Sequence, residues 1–194
     1  MTLMPSTFSL LATLVLLGAC SPQDTAKSAP SAVTQPAQPY EATAAQAKGF
    51  TVGAMMSAKP VYVLFDTQCP HCSRLWEASL PLHSKVKFVW VPVALLNPKS
   101  ASQGAALLGA SDAGALMTTH EKSLLGGTGG ISASASPPPE LAQAIKDNTT
   151  LFNSLGVESV PYVLARNLST GEVVTHAGAM DTAALTKLLG VALN

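Results

Sequence analysis

Residues 61–82 read VYVLFDTQCPHCSRLWEASLPL, and the chain is arranged around them. A β-branched and aromatic run, Val61 to Phe65, stops at Asp66-Thr67-Gln68, and a helical pattern opens at Cys69-Pro70-His71-Cys72. Pro70 suits the first helical position, where its missing N–H costs nothing, and this places Cys69 at the N-cap. The Cys69 sulfur then sits where a capping oxygen usually sits, facing the free N–H groups of His71 and Cys72. Those donors and the positive end of the helix dipole favour a thiolate. Cysteines so placed have pKa values moved from about 8.5 into a range of roughly 3.5–7.5. Cys72, three residues on, shares the helical face one turn in, where it is more buried and less acidic. The spacing therefore makes Cys69 the attacking sulfur of a dithiol redox site and Cys72 the resolving one.

Two plainer readings compete. A structural zinc site needs four ligands, and no second CxxC exists; His83, His120 and His176 are scattered singly. Two inert buried cysteines are the other reading, but a CxxC that follows a strand and opens a helix is the arrangement of thioredoxin-like redox sites. His71 is a candidate to donate to, or place charge near, the Cys69 sulfur; a solvent-facing histidine is its bland alternative. Asp66 is either a semi-buried acid that moves protons for Cys72 or simply the residue that closes the turn.

Composition narrows the class. The 194 residues carry 11 basic and 11 acidic side chains, and the even balance offers no basic patch for nucleic acid. Phe8 to Leu17 is an apolar run too short to span a bilayer comfortably, and it ends in Leu17-Gly18-Ala19-Cys20. That ending resembles the lipobox of bacterial lipoproteins, which implies a signal peptide over 1–19 and a lipid on Cys20. Ser21 in the next position favours the outer over the inner membrane. No Lys or Arg precedes the apolar run, which departs from the usual signal, and an ordinary secretory signal is the alternative. Residues 20–47, rich in Pro, Ala, Ser and Thr, read as a disordered tether.

Downstream, Leu75, Trp76 and Ser79 continue the helix to Pro81, and VKFVWVPV (86–93) is a second buried strand. Residues 97–155 are helical in pattern, broken by Gly126-Gly127-Thr128-Gly129-Gly130 and restarted at Pro137-Pro138-Pro139. Val160 to Ala165 and Glu172 to Thr175 are strands, and Asp181 caps a last helix, Thr182 to Leu189. The segment 44–59 is expected to include a short helix leading into the first central strand, and Met55 and Met56 are expected to pack. The order βαβ, helices, ββα predicts an α/β, thioredoxin-like fold over 48–194 with a helical insertion at about 97–155.

From Val61 onward the chain resembles the catalytic domain of the DsbC/DsbG family of bacterial thiol:disulfide interchange proteins. The stretches that carry the likeness are VYVLFDTQCPHC, PVALLNPKSASQGAALLGASD and LAQAIKDNTTLFNSLGVESVPYVL. The resemblance implies that Cys69 and Cys72 are the redox pair. It also implies that Pro161 is the cis-proline facing them, with Val160 presenting backbone to a substrate strand. Implied partners are envelope proteins with cysteines or disulfides and a membrane redox partner, of the DsbD reductase type or, for an oxidase, the DsbB type. No cofactor and no resident metal are expected.

Three departures bear on direction and assembly. The family generally carries Thr before the cis-proline, where this chain has Val160, as in the oxidase DsbA; the Pro70-His71 dipeptide is DsbA-like as well. The family's N-terminal dimerisation domain has the low-complexity tether in its place, so a monomer is expected. The sequence thus predicts a periplasm-facing, lipid-anchored thiol:disulfide oxidoreductase. A DsbA-like oxidase is the nearest alternative, and a metal-binding lipoprotein using the two cysteines is the alternative from another class.

Overall fold

The computed structural model describes residues 38–192; the expected signal peptide, Cys20 and the expected tether up to residue 37 lie outside them. The central strand β2 (Val61–Asp66) is buried along its whole length. Its side chains alternate between two cores, as the two-residue period of a strand requires. Val61, Val63 and Phe65 face one core, and Tyr62 and Leu64 the other. Parallel to β2 runs β3 (Lys87–Val93), and the helix α2 (Pro70–Ser79) followed by a 3-10 turn makes the crossover. On the other side of β2 lie β4 (Tyr162–Arg166) and β5 (Val173–Ala177), each antiparallel to its neighbour.

The expected βαβ, helices, ββα order is present, with the insertion formed by α3 (Lys99–Leu108), α4 (Ala113–Leu125) and α5 (Pro139–Ser154). The last helix, α6 (Thr182–Leu189), is capped as expected: Asp181 Oδ1 accepts from Ala184 N at 2.8 Å. One core is built where α2, α4 and α6 cover the sheet, around Trp76 and Trp90, whose rings meet edge-on at 5.1 Å. Such edge-to-face pairs add about 0.5–1.5 kcal/mol beyond their burial. The second core lies under α5.

The segment before β2 differs from expectation in three ways: its helix starts earlier, inside the expected tether, a strand follows, and the methionines are exposed. Residues 39–46, assigned to the tether, form a helix, α1 (Pro39–Gln46). Its apolar residues form no stripe along one face, and a single aromatic residue anchors it. Tyr40 is buried, stacks edge-on against Tyr62 at 5.5 Å and donates its hydroxyl to Pro60 O at 2.9 Å. Arg166 lies over the Tyr40 ring and pairs with Glu41. The edge strand β1 (Phe50–Gly53) pairs antiparallel with β3, giving a sheet in the order β1-β3-β2-β4-β5. Met55 and Met56 do not pack: they occupy the turn between β1 and β2, and Met56 is 96% exposed. Gly53, at φ 89°, turns the chain there; a Cβ would lie 2.2 Å from Val86 O.

Candidate active site

The turn after β2 is built on Asp66. Fully buried, its carboxylate accepts four hydrogen bonds. Oδ1 takes Gln68 N (2.8 Å) and Ser100 Oγ (2.7 Å), while Oδ2 takes Leu95 N (2.7 Å) and Leu96 N (3.0 Å). Three segments, the β2–α2 turn, the loop after β3 and the start of α3, are thereby tied together in front of the cysteines. Both oxygens are occupied by donors, which is the geometry of a turn-closing residue rather than a proton carrier.

Cys69 is the N-cap of α2 in an extended conformation, with Pro70 at the first helical position. Both cysteines are free thiols and both are buried, Cys72 completely. The Cys69 thiol is lowered from its ordinary value to about 7. The largest cause is the hydrogen bond from the Cys72 side chain; burial opposes it, the backbone N–H groups of Cys72 and His71 assist, and the Asp66 charge opposes. Cys72 is pushed well above its ordinary value, first by burial, then by its bond and proximity to Cys69. One helical turn therefore separates a sulfur that ionises near neutral pH from one that stays protonated.

His71 is exposed, and Arg74 Nη1 lies 3.2 Å from its Nδ1. A guanidinium only donates, so Nδ1 accepts. What His71 gives the Cys69 sulfur is its backbone N–H. The Val160–Pro161 bond is cis, and the Cys69 thiol points at Val160 O, 3.6 Å away. Cys69, Pro70 and Val160 sit at one end of a groove of about 530 Å³ whose other walls include Leu95, Leu96 and Phe152. Cys69, Cys72, Pro161 and Val160 are thus brought together. Cys20 lies outside the described residues.

Behind the pair lies a set of polar residues from the insertion that sequence reading passed over. His120 is fully buried; its Nε2 donates to Thr67 O at 2.6 Å, and its Nδ1 accepts from Ile131 N at 3.1 Å. Gly130, at φ 85°, lets the loop pass close to this ring, since a Cβ there would lie 2.4 Å from His120 Cε1. Next to it Glu121 is 1% exposed: Oε2 accepts from Ser73 Oγ, and Oε1 has no partner. Burial, more than any other cause, raises Glu121 to about 8; the Ser73 bond opposes, and the charges of Cys69 and Glu77 add to the rise. Met117, His120 and Glu121 form the buried stripe of α4 at i, i+3, i+4 spacing, so two polar residues on an apolar face were the available signal. Among the described residues no three His, Cys, Asp or Glu side chains converge to hold a metal ion, and no helix is long and apolar enough to cross a membrane.

With the geometry in place, comparisons with known proteins are informative. No family model matches the chain. The thiol:disulfide interchange protein DsbG of Pseudomonas aeruginosa is 26% identical over 140 residues, covering 71% of this chain and 54% of the relative. DsbG of Escherichia coli is 29% identical over 105 residues, covering 53% and 42%. The chain spans about half the length of these relatives. Among solved structures, a thioredoxin-like oxidoreductase from Silicibacter pomeroyi superposes with a TM-score of 0.60 at 17% identity, over 77% of this chain and 95% of that one. The chain is DsbG-like in sequence and folds as a thioredoxin-like α/β domain with a helical insertion.

Proposed function

We propose that this protein is a thiol:disulfide oxidoreductase that exchanges disulfides with exported proteins through Cys69 and Cys72. The observation that carries the reading is the placement of the two sulfurs: Cys69 caps α2 with its thiol on Val160 O and is lowered to about 7, while Cys72 is buried one turn deeper and raised. The Cys69 thiolate attacks a substrate disulfide, displaces one thiolate and forms a mixed disulfide. Cys72 then attacks the Cys69 sulfur, releasing the second substrate thiol and leaving Cys69–Cys72 oxidised. The two thiols lose the two electrons that the substrate disulfide gains. The groove from Cys69 to Phe152 offers the flanking substrate chain an apolar wall.

A value of about 7 is that of thioredoxin, whereas the strong oxidant DsbA lies near 3.5. This supports the reducing or exchanging direction, with a DsbD-type membrane reductase as recycling partner. Val160 before Pro161 favours the second reading, a DsbA-like oxidase served by a DsbB-type partner. The LGAC ending of the leader motivates a periplasm-facing protein anchored by lipid on Cys20, in the outer membrane by virtue of Ser21.

The test is a Cys72→Ser variant expressed in cells and alkylated on lysis. Mixed disulfides held through Cys69 are expected, and none in a Cys69→Ser control; the absence of trapped species from Cys72→Ser cells would refute the proposal. Cys20→Ser is expected to move the protein from membranes to the soluble periplasmic fraction, and an unchanged membrane share would refute the anchor.

A further inference from the structure

Resolution leaves a chemical problem that the two cysteines do not solve. Cys72 is fully buried and holds its proton tightly, yet it must lose that proton to attack the mixed disulfide. Three titratable side chains lie buried around the pair: Asp66, His120 and Glu121. Asp66 has both oxygens occupied by four donors. His120 has both ring nitrogens engaged with backbone. Glu121 alone keeps a free acceptor, the buried and unpartnered Oε1. Its other oxygen is held by Ser73, the residue after Cys72 on the buried side of α2. The carboxyl is therefore fixed on the α2–α4 contact, within electrostatic reach of both sulfurs.

We propose that Glu121 accepts the Cys72 proton during resolution of the mixed disulfide, a role that rests on the exchange reaction proposed above. The Cys72 S–H gives its proton to Oε1 across one bridging water, and its sulfur bonds to Cys69. The Cys69–substrate bond breaks, and the substrate leaves as a thiolate that takes a proton from solvent. In the mixed disulfide Cys69 carries no charge, so the repulsion it exerts on the Glu121 carboxylate is lifted, while burial still holds the group up. On reduction the Cys69 thiolate returns and raises Glu121 further, so that the carboxyl holds its proton to higher pH in the reduced protein. The elements packed against α4 bring few other charges. From α2 and its N-cap come the cysteines, His71, Arg74 and Glu77, from the start of α3 comes Lys99, and β1 has no titratable side chain. Asp66 stands at the end of β2, and Lys122 beside Glu121 on α4 is exposed.

General base catalysis contributes about 10²–10⁴-fold. In stopped-flow reaction with a disulfide peptide, Glu121→Gln is expected to lower the ratio of resolution rate to attack rate at least tenfold. The rise of the wild-type resolution rate with pH should flatten in that variant and return in part in Glu121→Asp. A second readout needs no variant to be active. Infrared pH titrations of wild-type protein, oxidised with diamide and then reduced, should show the protonated carboxyl lost at lower pH in the oxidised form, and Glu121→Gln should lack that signal. A normal ratio and pH profile in Glu121→Gln, or an identical carboxyl signal in both redox states, overturns the inference. Wild-type protein that forms no mixed disulfide overturns the exchange reaction and this role together; mixed disulfide with unchanged resolution overturns this role alone.

Discussion

The Cys69 sulfur lies 3.6 Å from the carbonyl oxygen of Val160, a residue 91 positions away in the chain. The N-terminus of α2 thus faces the segment that enters β4, and the thiol that ionises most readily stands at the mouth of the apolar groove. Cys72, one turn deeper, has no exposure at all.

Alkylation should follow that difference. With iodoacetamide, the reduced protein is expected to react at one thiol with a midpoint near pH 7, and peptide mapping should place the label on Cys69. Cys72 should remain unlabelled until the protein unfolds. Faster labelling of Cys72, or a midpoint at the ordinary thiol value, would reverse the assignment of roles.

Stability should depend on redox state and pH with a definite sign. A thiol lowered in the folded state stabilises it fully above the unfolded value and loses that contribution as pH falls through the folded one. For Cys69 the window runs from the ordinary 9.0 down to about 7. The reduced form should therefore gain on the oxidised form by about 2–3 kcal/mol, at most, between pH 6 and 9. Cys72, raised in the folded state, has the opposite sign and takes stability away above its unfolded value. Paired urea denaturation in a Glu121→Gln background, which removes the carboxyl's own titration, measures the difference; a flat or falling curve over that range contradicts it.

Glu121 itself should make the reduced wild type less stable as pH rises. Its folded value of about 8 stands above the ordinary 4.5, so its contribution is full below 4.5 and is lost as pH climbs towards 8. The slope is up to about 1.4 kcal/mol per pH unit from this group. Glu121→Gln should flatten the curve and, by removing a buried charge, denature later than wild type at pH 8; an unchanged slope would show the carboxyl to be solvated.

Asp66→Asn separates the two roles considered for that residue. An amide in place of the carboxylate turns one acceptor into a donor facing two donors, and loss of such charge-assisted bonds should cost about 2–4 kcal/mol. Because the Asp66 charge raises Cys69, the alkylation midpoint should move down, not up. Normal stability with slowed resolution would instead return Asp66 to the role of proton carrier.

Removal of the Tyr40 ring tests whether α1 belongs to the domain. Tyr40→Ala should lower unfolding stability by about 2–4 kcal/mol, since a buried aromatic and its hydroxyl bond are lost together. A change within about 0.5 kcal/mol, the range of ordinary surface substitutions, would mean that α1 is only loosely associated.

Much of this architecture is written in local pattern. The alternation of β2, the proline after Cys69 and the three-residue spacing to Cys72 specify strand, helix start and sulfur order without reference to distant residues. The glycine run and the proline triplet likewise punctuate the insertion as its helices do. Position in space was decided elsewhere. Average composition concealed α1, because a helix anchored by one tyrosine depends on Tyr62 and Arg166 being there to receive it. The four residues of β1 carry too short an alternation to read, and acquire their strand by pairing with β3. Asp66 reads as a turn residue, yet its donors arrive from 29 to 34 residues downstream as well as from the turn itself. Glu121 lies on a helical stripe whose neighbour no periodicity names; only the packing of α4 on α2 sets its carboxyl against Ser73, the residue after Cys72. Periodicity encodes which face of an element is buried, whereas the partner of that face is chosen by the close packing of the whole chain.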